Sequence, residues 1–139
     1  NHDNIYCKSL SYYFSSLEKR KNKISKIMST MIEKGNKISK KKYLESLLIQ
    51  QNLTNKFESM MKDYDFLITP STASVAPKIG ENEKIDTSLI WTFFGAPAIS
   101  LPIFYDEKKQ LPFGLQVISS RYNDLILLNF CERIINKLQ

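Results

Sequence analysis

Hydrophobic positions along the chain change their spacing near residue 63. Before it, Ile24, Ile27, Met28, Met31 and Ile32 recur at i, i+3, i+4, i+7 and i+8, the pattern of a helix with one apolar stripe. Gly35 directly after Lys34 predicts a left-handed stop with a cation in the last turn. Ser39 is placed to cap the next helix. Its expected buried stripe is Leu44, Leu47, Leu48, Phe57, Met60 and Met61, ending at about Lys62. Upstream, Ile5 to Leu17 is an aromatic-rich segment containing Tyr12, Tyr13 and Phe14.

After residue 63 short apolar runs are bounded by turn formers. Phe66–Thr69, stopped by Pro70, reads as a buried strand. Ser71 to Lys84 contains Pro77 and Gly80 without periodicity and reads as a loop. Asp86, Thr87 or Ser88 can cap a short helix through Trp91 to Phe94, ended by Gly95. Ala98–Leu101 is a strand between Pro97 and Pro102, and prolines confine its hydrogen bonding. Asp106 to Gln110 is a charged turn, and Phe113–Ile118 is the returning strand of a hairpin. These three strands are expected in one sheet, the last two as antiparallel neighbours. Asp124 to Leu138 sets Leu127, Leu128, Cys131, Ile134, Ile135 and Leu138 along one side of a final helix.

Composition narrows the class. With 139 residues the chain makes one domain at most, expected as residues 1–62 helical and 63–139 strands, hairpin and helix. The start, Asn1-His2-Asp3-Asn4, has no Met and reads as cut from something longer. Cys7 and Cys131 lie far apart with no CxxC spacing, which points to a reduced, cytoplasmic protein rather than a disulfide scaffold. No run of about 18 apolar residues would span a membrane. The net charge of +6 is uneven. Residues 1–62 hold 13 Lys and Arg against 5 Asp and Glu, and residues 63–139 hold 7 against 9. The excess sits in Lys19-Arg20-Lys21 and Lys40-Lys41-Lys42. A basic helical face raises nonspecific phosphate affinity, but no nucleic-acid motif accompanies it, so a solvated surface is the better reading.

A self-contained active site is not legible. His2 is the single histidine, in a segment expected to be unplaced, so the chain offers no imidazole base for a Ser-His or Cys-His apparatus. It offers no His-rich metal site and no Gly-rich phosphate cradle. Glu81, Glu83 and Asp86 read as solvated carboxylates. No metal or organic cofactor is expected.

Three segments remain: Asp65-Phe66-Leu67-Ile68-Thr69-Pro70-Ser71, then Gly95-Ala96-Pro97-Ala98-Ile99-Ser100-Leu101-Pro102, then Pro112-Phe113-Gly114-Leu115-Gln116. In this order and spacing they resemble the C-terminal half of the amidase signature family, whose members carry D-x-[LIV]-[LIV]-T-P-[ST], G-x-P-A-[IL]-S-[LV]-P and P-x-G-[LF]-Q patterns. The stretch Ile32-Glu33-Lys34-Gly35, Ile38-Ser39 and Tyr43 is similar to the helices that precede them, so the resemblance covers roughly residue 28 to the end. It departs at Asp106–Gln110, where members often carry Gly and this chain reads Asp-Glu-Lys-Lys-Gln.

The resemblance implies an α/β fold, the C-terminal part of a mixed-sheet α/β/α domain. It implies hydrolysis of a small carboxylic amide through a Ser–cis-Ser–Lys triad held in an N-terminal portion, which would be this chain's partner. No Gly/Ser-rich run supplies the nucleophile here, and Ser71, Thr72, Ser100 and Ser119 are not assigned that role. By analogy with similar enzymes, Asp86, Ser88, Trp91 and Thr92 would line the substrate pocket: Trp91 as an apolar wall, Asp86 facing a substrate amino group. Core packing for Trp91 and helix capping for Asp86 are the simpler alternatives. The competing reading of the chain is a non-catalytic remnant or interaction domain with a basic helical face. An exposed strand edge would favour self-association or binding to the N-terminal portion.

Overall fold

A computed structural model describes residues 1–18, 24–81 and 86–138. The Lys19-Arg20-Lys21 cluster, Glu83 and the end of the 71–84 loop lie outside the described residues. The chain forms two compact units, Asn1–Leu53 and Thr54–Gln139. The boundary falls within α3.

The first unit contains α1 (His2–Glu18), α2 (Lys26–Lys37) and the first part of α3 (Lys40–Met60). Ser25 caps α2, its side chain accepting from the Met28 N–H at 3.2 Å. The expected stop at Gly35 does not occur: α2 continues to Lys37 and leaves through extended Ile38. Gly35 is buried inside the helix, where a Cβ would collide with the Cys7 carbonyl and come within 2.8 Å of Ser11 Cβ. The glycine serves close helix approach instead of termination. Ser39 does cap α3, accepting from the Lys42 N–H at 3.2 Å. His2 is not in an unplaced segment; it opens α1 and stacks on Tyr6 at 5.7 Å.

The face that α3 buries also departs from expectation. Leu44, Leu48 and Met60 are exposed, whereas Ser46 and Thr54 are buried along with Phe57 and Met61. Ser46 is small enough to admit close neighbours and leaves no polar atom stranded. Its hydroxyl accepts from Asn4 Nδ2 at 3.0 Å and donates to the Lys42 carbonyl at 2.9 Å. Ile27 of α2, expected in an apolar stripe, is likewise exposed, while Ile32 is fully buried.

The second unit is built on β1 (Leu67–Pro70), β2 (Ala98–Asp106) and β3 (Leu111–Ile118), with α4 (Leu89–Phe94) and α5 (Asp124–Leu138). The strands form one antiparallel sheet in the order β1-β3-β2. The three expected strands and the hairpin are therefore present, with β1 displaced by one residue and β2 longer than expected. Pro102 lies within β2 on a sheet edge, and the register shifts between Leu101 and Phe104. A residue without an N–H interrupts the ladder there and the strand resumes beyond it.

The turn joining β2 to β3 uses no glycine. Gln110 takes the left-handed conformation at φ 55°. Asp106 Oδ1 accepts from the N–H groups of Lys108 and Lys109 at 3.0 Å each, and Gln110 Nε2 donates to the Glu107 carbonyl at 2.7 Å. Local side-chain bonds hold a conformation that a glycine would reach without strain.

Successive β3 residues look to opposite faces of the sheet. Val117 joins Leu101, with Leu127 and Cys131 of α5, in one buried cluster. Ile118 joins Phe57 and Met61 in the other, with Leu67, Trp91, Phe94 and Ala96 packed on it. α5 matches its expected span, although Leu128 is exposed. Both cysteines are free and buried. Among the described residues, no helix is long and apolar enough to cross a membrane.

Candidate functional site

The sheet face that carries Ile118 changes character along the strands. At one end Leu67, Ala98 and Ile118 stand side by side in register, and Leu67 and Ile118 pack with Phe57, Trp91 and Phe94. Two residues along each strand, Thr69 and Ser100 both pair with Gln116. Gln116 is buried, and its Oε1 accepts from Thr69 Oγ1 at 3.4 Å. One further step brings Ser71, Pro102 and Gly114 to the same face. The Ser71 N–H donates to the Gly114 carbonyl at 2.9 Å, extending the β1–β3 ladder by one bond.

Here the loop after β1 and the sheet together line an open cleft of ≈ 430 Å³. Ser71, Thr72, Ser74 and Ser100 bring hydroxyls to it. Val75, which is buried, with Pro77, Pro102 and Phe113, gives it an apolar lining. Among the described residues, no ionisable side chain lines it. Most loop hydroxyls are committed to the loop itself. Thr72 Oγ1 donates to the Ser74 carbonyl at 2.7 Å, Ser74 Oγ to the Val75 carbonyl at 3.0 Å, and Thr87 Oγ1 to the Ser71 carbonyl at 2.7 Å.

None of the pocket residues expected from the sequence is among those lining this cleft. Asp86 and Ser88 come together: Asp86 Oδ1 accepts from the Ser88 N–H at 2.9 Å and from Ser88 Oγ at 2.6 Å. Ser88 precedes α4, but its own side chain caps nothing. Thr92 is exposed, and its hydroxyl donates to the Ser88 carbonyl at 3.4 Å. Trp91 is partly buried, with ring centroids 6.1 Å from Phe57 and 6.4 Å from Phe94. Its Nε1–H is buried without a hydrogen-bond partner among the described residues. Gly95 ends α4 at φ 66°, in the left-handed conformation expected of it.

Of the hydroxyls left unassigned by sequence, Ser71, Thr72 and Ser100 meet at the cavity. Ser119 is fully buried and donates to the Ser120 carbonyl at 3.3 Å. Period-two alternation was the signal available: Thr69 and Ser71, Ser100 and Pro102, Gly114 and Gln116 each fall on one face. Neither Ser71 nor Ser100 hydrogen-bonds to a basic side chain among the described residues, so neither has the partner that activates a serine.

The family pattern matching this arrangement is that of Amidase, over residues 4–128. The chain belongs to the amidase family. The match begins well before residue 28, so all but the first two residues of α1 fall within it. A glutamyl-tRNA(Gln) amidotransferase subunit of Saccharolobus solfataricus is 32% identical over 108 residues, covering 69% of this chain and 22% of that protein. A fatty acid amide hydrolase of Medicago truncatula is 30% identical over 105 residues, covering 66% of this chain and 17% of that protein. A crystal structure of an amidase superimposes with a TM-score of 0.82 at 18% identity, over 99% of this chain and 34% of that one, which shows a common fold. This chain spans about a fifth of the length of the curated relatives it matches.

Proposed function

We propose that residues 1–139 are the C-terminal segment of a hydrolase of carboxylic amides, and that the Ser–cis-Ser–Lys set lies in an N-terminal portion of the same protein. Family membership over residues 4–128 is the observation that carries this reading. Two features support its second half. The serines on the sheet face lack a basic partner among the described residues, and apolar side chains such as Leu44, Leu48, Leu125 and Ile126 stand exposed, as they would where further protein covers them.

In this reading the chain contributes pocket wall. Asp86, Ser88, Trp91 and Thr92 border the substrate, with Trp91 presenting an apolar surface. The Asp86 carboxylate, exposed and held in place by Ser88, takes a cationic substituent of the substrate. The reaction passes through an acyl-enzyme on a serine of the N-terminal portion and needs no metal or organic cofactor.

The test is to read the coding sequence upstream of Asn1. A lysine followed by a Gly/Ser-rich segment is expected. A stop codon or an unrelated domain would overturn the reading and leave a non-catalytic interaction domain.

A further inference from the structure

Arg121 and Tyr122 lie in the turn between β3 and α5, and that turn is built against local preference. Tyr122 takes the left-handed conformation at φ 66°, which a bulky side chain rarely adopts. The residue is 84% exposed, so core packing does not offset the strain. Among the described residues, its side-chain hydrogen bond and its ring contact are both with Arg121. The Tyr122 hydroxyl accepts from Arg121 Nη2 at 3.2 Å, and the guanidinium carbon lies 5.1 Å from the ring centroid. Arg121 is half-buried, and its Nε–H is buried without an acceptor among the described residues. The fold holds this arginine in place despite a strained neighbour and an unpaired donor, which points to a role other than stability.

What Arg121 touches is the end of α4. A Cβ on Gly95 would stand 3.6 Å from Arg121 Nε and 3.9 Å from Nη2, so the guanidinium sits directly against the residue that ends the helix. The N–H groups of Gly95 and Ala96 donate to the Thr92 and Trp91 carbonyls at 3.2 and 3.0 Å, which ties that end to Trp91. The Arg121 N–H in turn donates to Glu58 Oε1 at 3.1 Å. Glu58 follows Phe57, whose ring centroid stands 6.1 Å from that of Trp91 and 5.0 Å from that of Phe94. Two successive residues of α3 therefore meet α4, one by ring packing and the other through Arg121. We infer that Arg121 is a positioning residue of the proposed pocket: it braces the end of α4 and so fixes where the Trp91 wall stands. The inference rests on the reading of Trp91 as pocket wall. Neither Arg121 nor Tyr122 belongs to the three segments that carry the family resemblance.

The chain's one tryptophan supplies the readout, as its indole N–H resonance and its quenching by acrylamide in the 139-residue chain. Arg121→Met keeps the apolar stem and removes the guanidinium. It should shift the indole resonance and raise quenching while the chain stays folded. Tyr122→Gly relieves the backbone strain and releases the guanidinium from its partner. It should leave the urea midpoint unchanged or raised, yet move both Trp91 signals as Arg121→Met does. A residue that serves stability alone would move midpoint and signals together, so their separation identifies positioning. Ile135→Ala, which thins the cluster on the other face of the sheet, should lower the midpoint and leave the native Trp91 signals in place. The inference falls if either turn variant, folded, keeps the parent's resonance and quenching, or if Ile135→Ala moves them equally. None of these results depends on the sequence upstream of Asn1, so a failure here is distinct from a failure of the proposed function.

Discussion

Gly35 of α2 lies against the backbone carbonyl of Cys7 in α1, so close that no side chain fits between the helices. In an exposed helix, alanine in place of glycine would stabilise by about 1 kcal/mol. At this position the added methyl meets backbone, which cannot rotate away, and overpacking typically costs about 1–3 kcal/mol. Gly35→Ala is expected to be a net loss, read as a lower midpoint in urea. An unchanged or raised midpoint would mean that α1 and α2 do not approach in this way.

Trp91 is the chain's one tryptophan, so its fluorescence reports this site alone. Packed beside Phe57 and Phe94, it should emit at short wavelength and resist acrylamide quenching until the protein unfolds. Trp91→Ala should cost about 3 kcal/mol, towards the lower end of aromatic truncations because the residue is only partly buried. Trp91→Phe should cost less, since it keeps an aromatic ring and removes a buried N–H that has no partner among the described residues. Denaturant curves of the two variants decide the order.

Burial pushes the Cys131 thiol above its ordinary pKa, leaving little thiolate at neutral pH. The residue is also sealed between α5 and the sheet. Its reaction with a thiol reagent should be slow in the native protein and become fast in denaturant. Rapid native labelling of Cys131, located by peptide mass, would show that α5 does not cover the sheet as described.

Lys34 holds the Asp3 carboxyl below its ordinary pKa of 3.8 through a 2.7 Å ion pair, and Asp3 raises Lys34 above 10.5. The sign follows for each group. The Asp3 contribution is present above 3.8 and is lost as pH falls through the lowered value. The Lys34 contribution is present below 10.5 and is lost as pH rises through the raised value. Both side chains are more than half exposed, so the effect is small and salt-sensitive. Asp3→Asn should therefore flatten the loss of thermal stability between about pH 5 and about pH 2. Parallel melting curves for parent and variant would contradict the pairing.

Several elements were legible because one physical rule dominated each. The apolar runs beside Pro70 and Pro97 read as strands, although β2 continues through Pro102 to Asp106, and Asp124 to Leu138 kept a helical period throughout. Other features depended on neighbours that no local pattern names. Gly35 carries the chemistry of a helix stop and also of a close helix approach, and only the position of Cys7 decides between them. Ser46 replaces leucine on the buried face of α3 because Asn4 and the Lys42 carbonyl satisfy its hydroxyl. Gln110 adopts a glycine-like conformation because Glu107 and Asp106 brace the turn. The motif residues Ser71, Ser100 and Gly114 were visible in the sequence. Their convergence on one cavity required the register of three strands.

The most direct measurement is intact mass after incubating residues 1–139 with a serine-directed fluorophosphonate. The serines that meet at the cavity lack a basic partner among the described residues, and the proposed function assigns the Ser–cis-Ser–Lys set to an N-terminal portion of the protein. The expected result is an unmodified mass, with no amide hydrolysis by the same sample. A stoichiometric adduct on any serine, above all Ser71 or Ser100, would contradict the claim that this chain shapes an amidase pocket without carrying its nucleophile.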